Sequence, residues 1–202
     1  MSLLGVISDV HGDAEALRRA LIALRARGCS RVWCAGNLVH YGLAVDEVVR
    51  TLVAERIPTV RGNHDRWALE RRVEAFAPET WRFLAGLPGS FHRRVGRTRI
   101  AMVHGSPIAD LDALYPGHLT PDCAGELLDR AEAEVLIVGH TRLPTQLTIG
   151  HRRIVNPGAL RRSVEVVAGR TVYGGTYGVL EVPRGTFRVF DLEGRERIAY
   201  SA

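Results

Sequence analysis

Arg31-Val32-Trp33-Cys34-Ala35-Gly36-Asn37-Leu38-Val39-His40-Tyr41-Gly42 is the stretch whose reading decides the fold. Residues 31–34 read as a short strand, and a turn bounded by Gly36 and Gly42 follows, carrying Asn37 and His40. Upstream, Leu3 to Ser8 has the apolar character of a buried strand and ends in Asp9-Val10-His11. Between the two strands, Leu17, Ala20, Leu21 and Leu24 recur at helical spacing and predict a helix from an Asp13 N-cap to about Arg27, closed by Gly28. Downstream, Val45, Val48, Val49, Leu52 and Val53 share one face of a second helix over 45–56. Thr59-Val60-Arg61 then reads as a third strand leading into Gly62-Asn63-His64-Asp65. Strand–helix–strand–helix–strand is the pattern of a parallel sheet with right-handed crossovers.

Beyond this core, residues 66–87 read as helical, with Pro78 opening a second short helix. The aromatics there, Trp67, Phe76, Trp81 and Phe83, read as packing. A hairpin over 90–95 and 98–103 turns at Gly96-Arg97 and leads to His104-Gly105. Thr120 as N-cap and Pro121 at the first position open a helix whose face is Ala124, Leu127, Leu128 and Ala131. A buried strand over 135–138 ends in Gly139-His140-Thr141-Arg142, and the remainder is β-rich, with strands over 145–149, 152–155, 176–182 and 186–191. No linker, repeat or low-complexity segment interrupts the chain, so 1–202 is expected to form a single domain.

Composition narrows the function classes. Of 202 residues, 46% are hydrophobic and 24% charged, the balance of an ordinary globular protein. The absence of an apolar run near 18 residues argues against a membrane span, and the first residues lack the basic segment of a secretion signal, so a cytoplasmic location is expected. Cys29, Cys34 and Cys123 are odd in number without metal-binding spacing, which fits reduced thiols. The net charge is +5 and every basic residue is Arg. The arginines are scattered in pairs, as codon bias would scatter them. A nucleic-acid surface is the other reading, and it predicts salt-sensitive binding. The three asparagines, Asn37, Asn63 and Asn156, all sit in glycine-containing turns after apolar strands, where site or turn roles are expected.

Ligands of open α/β sheets bind beyond the carboxyl ends of strands. Five polar segments fall at such ends: Asp9-Val10-His11, Asn37 to His40, Asn63-His64, His104 and His140. Carboxylate, imidazole and carboxamide together suit divalent Mn, Fe, Zn or Ni. His92, His118 and His151 lie outside these segments and are assigned to surface or core.

Asp9-Val10-His11, Gly36-Asn37, Gly62-Asn63-His64-Asp65, Val103-His104-Gly105 and Gly139-His140-Thr141 together resemble the ordered motifs of calcineurin-like metallophosphoesterases. Asn156-Pro157-Gly158 is similar to a turn near the end of the small bacterial members. The resemblance implies an α/β fold, a four-layer α/β/β/α sandwich of two mixed sheets flanked by helices. It implies a hydrolase of phosphomonoesters or phosphodiesters using two metals roughly 3.5–4 Å apart. It assigns Asp9 and His11 to the first metal, Asn63, His104 and His140 to the second, position 37 to a bridge between them, and His64 to the transition state or leaving oxygen.

Three positions depart from the family. Asn37 stands where the family has a bridging Asp, and a neutral carboxamide bridges two cations poorly. Arg142 stands where many members have a second His, and guanidinium does not ligate cations. His40 stands where relatives often carry an Asp that orients the residue at position 64; it could support His64 or replace a ligand. The first two changes each raise the site's charge by one unit, which the loss of one divalent ion would offset. The expectation is a site with one metal or none, with Arg142 paired to Asp9 or binding substrate phosphate. A weakly catalytic or inactive scaffold module is the alternative, and a family member that serves as a trafficking subunit is its precedent. Asp65 is expected to cap the helix after it, and Asn156 to form a turn.

Overall fold

The computed structural model describes residues 2–39, 44–72, 75–167 and 169–201. Its elements in chain order are β1 (Ser2–Ile7), α1 (Ala14–Ala26), β2 (Arg31–Cys34), α2 (Val45–Ala54), α3 (Asn63–Arg71), α4 (Pro78–Ala85), β3 (Ser90–Val95) and β4 (Thr98–Val103). After a single 3-10 turn (Pro116–His118) come α5 (Pro121–Arg130), β5 (Val135–Ile137), β6 (Thr145–Ile149) and β7 (Arg152–Asn156). The chain closes with β8 (Val164–Val167), β9 (Arg170–Tyr173), β10 (Thr176–Val182), β11 (Phe187–Asp191) and β12 (Glu196–Arg197).

One five-stranded sheet has the order β12-β11-β10-β1-β2 and the other β3-β4-β5-β7-β6. Both are mixed: β1 runs parallel to β2 and antiparallel to β10, while β5 lies parallel to both β4 and β7 inside two antiparallel edges. Three apolar layers hold the stack together. Val6, Trp33, Leu180 and Val189 of the first sheet meet Ile100, Met102, Ile137 and Val155 of the second. Leu17, Leu24, Val48 and Leu52 of α1 and α2 cover the outer face of the first sheet against Ile7, Val179 and Phe190. Ala124, Leu127 and Leu128 of α5 cover the second against Val103, Leu136 and Ile154. The result is the four-layer α/β/β/α sandwich. It follows from strands that are apolar on both faces and helices that are apolar on one.

The helix starts follow local chemistry. Asp13 caps α1 by accepting from the Ala16 N–H, and Thr120 caps α5 by accepting from Cys123. Cys34 lies in the outer apolar layer of the first sheet, where burial pushes its thiol up to about 12. Two expectations need correction. Residues 59–61 do not form a strand: Thr59 makes one isolated bridge to Cys34, because Pro58 offers no N–H and the chain enters α3 directly after Gly62. The β8–β9 hairpin, paired only with itself, was not expected at all.

Candidate active site and metal centre

The carboxyl ends of β1 and β2 in one sheet and of β4 and β5 in the other open onto the same place. There they deliver Asp9, Asn37, His104 and His140, and the start of α3 adds Asn63 and His64. Asp9, His11, Asn37, Asn63 and His104 are all at most 2% exposed. The backbone marks the same loops. Eight non-glycine residues have positive φ among those described. Arg56, Arg72 and Glu132 end helices, and the other five are Asp9, His11, Asn37, His140 and Arg142. Left-handed backbone costs an L-residue about 1 kcal/mol or more, least for Asn, Asp and His, and such outliers gather where a site holds them in place.

Glycines let the loops approach. A Cβ on Gly62 would stand 2.2 Å from Asn37 Oδ1, and one on Gly139 would stand 2.1 Å from Ser8 Oγ.

Asp9 accepts hydrogen bonds from the protein on both oxygens. Its Oδ2 accepts from Ser8 Oγ at 2.6 Å and from the His140 N–H at 3.1 Å. Its Oδ1 accepts from Asn37 Nδ2 at 3.0 Å and lies 3.5 Å from His11 Nε2. Burial alone would raise this carboxyl, but the neighbouring His11 and His104 imidazoles and the Ser8 hydroxyl outweigh it and hold the group well below the usual carboxylate range.

The orientation of Asn37 follows from its neighbours. The backbone N–H of His64 donates to Asn37 Oδ1 at 3.0 Å, so the other terminus is the NH₂. That nitrogen donates to Asp9 Oδ1 and, at 3.1 Å, to Asn63 Oδ1. Asn37 therefore presents a donor, not an oxygen, to the ligand cluster, and joins two groups that a cation would otherwise join. This goes further than the weakened bridge expected from the sequence.

Asn63 Oδ1 is the centre of the other half. It lies 3.0 Å from His104 Nε2 and 3.2 Å from His140 Nδ1. His104 Nδ1 faces the Ala35 carbonyl at 2.7 Å, so in the neutral ring Nδ1 carries the proton and Nε2 keeps its lone pair. Two acceptors, Nε2 and Oδ1, then face each other, an arrangement that a cation between them satisfies. His140 is held toward its neutral form chiefly by burial. This oxygen–nitrogen set fits a divalent ion of the Mn, Fe, Zn or Ni kind. Among the described residues, no three His, Cys, Asp or Glu side chains form a cage by themselves, because carboxamides stand where a third such ligand would be.

Asp65 does more than cap α3. Its carboxylate accepts from the N–H groups of Gly62, Asn37, Leu38 and Val39 at 2.8–3.1 Å and so fixes the Asn37 loop. Burial pushes this carboxyl up, and the backbone donors pull it down. His11 Nδ1 faces the Val39 carbonyl at 2.8 Å, so the same loop orients His11. Asn156 behaves as a turn former: its Oδ1 accepts from Gly158 N, and its Nδ2 clamps the Gly139 carbonyl and the Thr141 hydroxyl under His140.

The expected pairing of Arg142 with Asp9 is not seen. Among the described residues its ion pair is with Glu165 of β8, Nη1 to Oε2, at 2.5 Å. The positive-φ turn at Arg142 and the unexpected hairpin explain the change; the Val164-Glu165-Val166 alternation was the signal available in the sequence. His64 stands at the rim with its ring 5.0 Å from His11 and 4.9 Å from Trp67, which makes Trp67 a neighbour of the site as well as a packing residue. His40 lies outside the described residues. His92, His118 and His151 are exposed, and none joins this cluster. No helix among the described residues is long and apolar enough to cross a membrane.

Comparison with known proteins bears on the fold and the family. A curated relative, the uncharacterized protein MJ0912 of Methanocaldococcus jannaschii, is 25% identical over 162 residues, 71% of this chain; the match spans 63% of that protein's length. The crystal structure of a metallophosphoesterase from Sphaerobacter thermophilus superposes with a TM-score of 0.71 at 22% identity, covering 96% of this chain and 89% of that one. Vacuolar Protein Sorting 29 from Cryptosporidium parvum superposes with a TM-score of 0.62 at 19% identity, covering 100% and 98%. At these identities the structural likeness carries the fold alone. Residues 1–184 match the profile of the calcineurin-like phosphoesterase superfamily domain, and the chain belongs to that family.

Proposed function

We propose that this protein is a metal-dependent phosphoesterase whose centre holds one divalent ion instead of two. The observation that carries the reading is the contact between His104 Nε2 and Asn63 Oδ1 at 3.0 Å, two acceptors when the imidazole is neutral. Asn63, His104 and His140 would hold the ion, and when bound it supplies Lewis acidity to a phosphoryl oxygen and to an attacking water. The remaining work falls to the chain. Asn37 occupies the bridging position with an amide donor and keeps Asp9 and Asn63 in place. His64, at the half-buried rim, would give a proton to the leaving oxygen. Arg142, ion-paired with Glu165, would meet substrate phosphate. Residues 1–202 would act as a single domain.

The test is metal content and hydrolysis of 4-nitrophenyl phosphate with added Mn. One ion per chain with Mn-dependent turnover supports the reading; two tightly bound ions contradict it. A second reading, a scaffold with little catalysis, is favoured by the inward-facing amide of Asn37. It predicts that wild type is inert while Asn37→Asp/Arg142→His hydrolyses the ester.

A further inference from the structure

Beside the metal centre lies a cavity of about 640 Å³, within the size range of small-molecule sites. Its walls come from the β3 edge, the end of α5, the start of α3 and the loop after β4, and His104 is common to this cavity and the metal cluster. The lining is basic. Arg61, Arg66, Arg130 and His92 face Asp110 as the only carboxylate. Arg66 is already neutralised: Nε and Nη2 grip Asp110 at 2.8 and 3.1 Å, and Nη1 reaches Glu70 at 2.9 Å. Arg61 and Arg130 make no ion pair among the described residues, although Arg61 lies within Coulombic reach of Asp110.

The wall is preformed. Ser106 accepts from the N–H groups of Ile108 and Ala109 and donates to Asp112, and a Cβ on Gly105 would stand 2.5 Å from the Ala109 carbonyl, so the loop packs directly on its own start. Asp110 is within Coulombic reach of His104 and His140, so the cavity and the centre are electrostatically one neighbourhood.

We infer that this cavity is an anion subsite that binds a second phosphate of the substrate, and that the preferred substrates are bisphosphorylated esters. Arg61 and Arg130 are the binding groups, guanidinium forks suited to phosphate oxygens. The inference rests on the phosphoesterase reading for its substrate class, but the anion site itself does not need the metal.

The experiment titrates inorganic pyrophosphate into the full chain in EDTA at low salt. Wild type should bind. Arg130→Ala and Arg61→Ala/Arg130→Ala should weaken binding by about tenfold or more, the scale of losing a hydrogen bond to a charged group. Arg94→Ala/Arg97→Ala, which removes equal charge near the far end of the β3–β4 hairpin, should not. No binding by wild type, or equal loss in the control, overturns the subsite. In parallel, kcat/KM is compared for propane-1,3-diol bisphosphate and its monophosphate. Wild type should prefer the bisphosphate, and Arg130→Ala should cut that preference about tenfold. If pyrophosphate binds through Arg130 but neither ester is hydrolysed, the phosphoesterase reading fails and the subsite stands. If both esters are hydrolysed alike and Arg130→Ala changes nothing, the subsite fails alone.

Discussion

The two halves of the site are built on opposite electrostatic terms. Around Asp9, on the loops after β1 and β2, a carboxylate accepts from Ser8, the His140 N–H and Asn37, so the protein itself supplies the donors. Around Asn63, with His104 and His140 from the loops after β4 and β5, a carboxamide oxygen faces two imidazole nitrogens, and neutral His104 brings it a lone pair. Asp9 accepts three protein hydrogen bonds, whereas Asn63 Oδ1 accepts one from Asn37 and faces two imidazole nitrogens. One side chain separates the cases: Asn37 replaces charge neutralisation by hydrogen bonding at Asp9 and extends a single donor to Asn63.

Substitutions can break this contrast. The largest effect is expected from His104→Ala, which empties the acceptor half: hydrolysis of 4-nitrophenyl phosphate should fall about 10²–10³-fold, the scale of removing one preorganised electrostatic group, with metal content falling in parallel by elemental analysis. Next, Asp65→Asn sets an amide against the four N–H groups that fix the Asn37 loop, and chemical denaturation should show a loss of about 3 kcal/mol.

Asn37→Asp sharpens the contrast most directly. It turns the donor into an acceptor facing two acceptors, so the metal-free protein should lose about 2 kcal/mol, and Mn should restore the melting temperature more than it raises that of wild type. Asp13→Ala, remote from the acceptor half, should cost only about 1 kcal/mol as a lost helix cap. Arg162 and the backbone donors outweigh burial and hold the Asp13 carboxyl below its ordinary value of 3.8. Its contribution should therefore be full above that pH and vanish as pH falls through the lower folded value, a trend that acid titration of stability would read. The smallest effect is expected from Glu165→Gln: the half-buried pair with Arg142 should give up about 0.5 kcal/mol, with KM as the more sensitive readout.

Much of the fold was legible because its signals are local. Leu17, Ala20, Leu21 and Leu24 mark a buried helix face by spacing alone, and the strand ends announce the site loops with Gly followed by Asn or His. What was not legible depends on distant partners. The orientation of the Asn37 amide is set by an N–H 27 residues away, and the charge partner of Arg142 sits 23 residues on, in a hairpin whose first strand is only four residues long. Asp65 was readable as a cap, but not as the anchor of a loop that precedes it by 26 to 28 residues. The 59–61 segment has strand composition, yet the chain needs it as the entry to α3.

Titration of metal-free wild-type protein with Mn, followed by calorimetry and by the paramagnetic signal of the ion, tests the difference between the two halves most directly. One ion per chain is predicted, lost in His104→Ala. Two ions of comparable affinity in the wild type would contradict it, because Asp9 would then bind a cation despite the three protein hydrogen bonds it accepts.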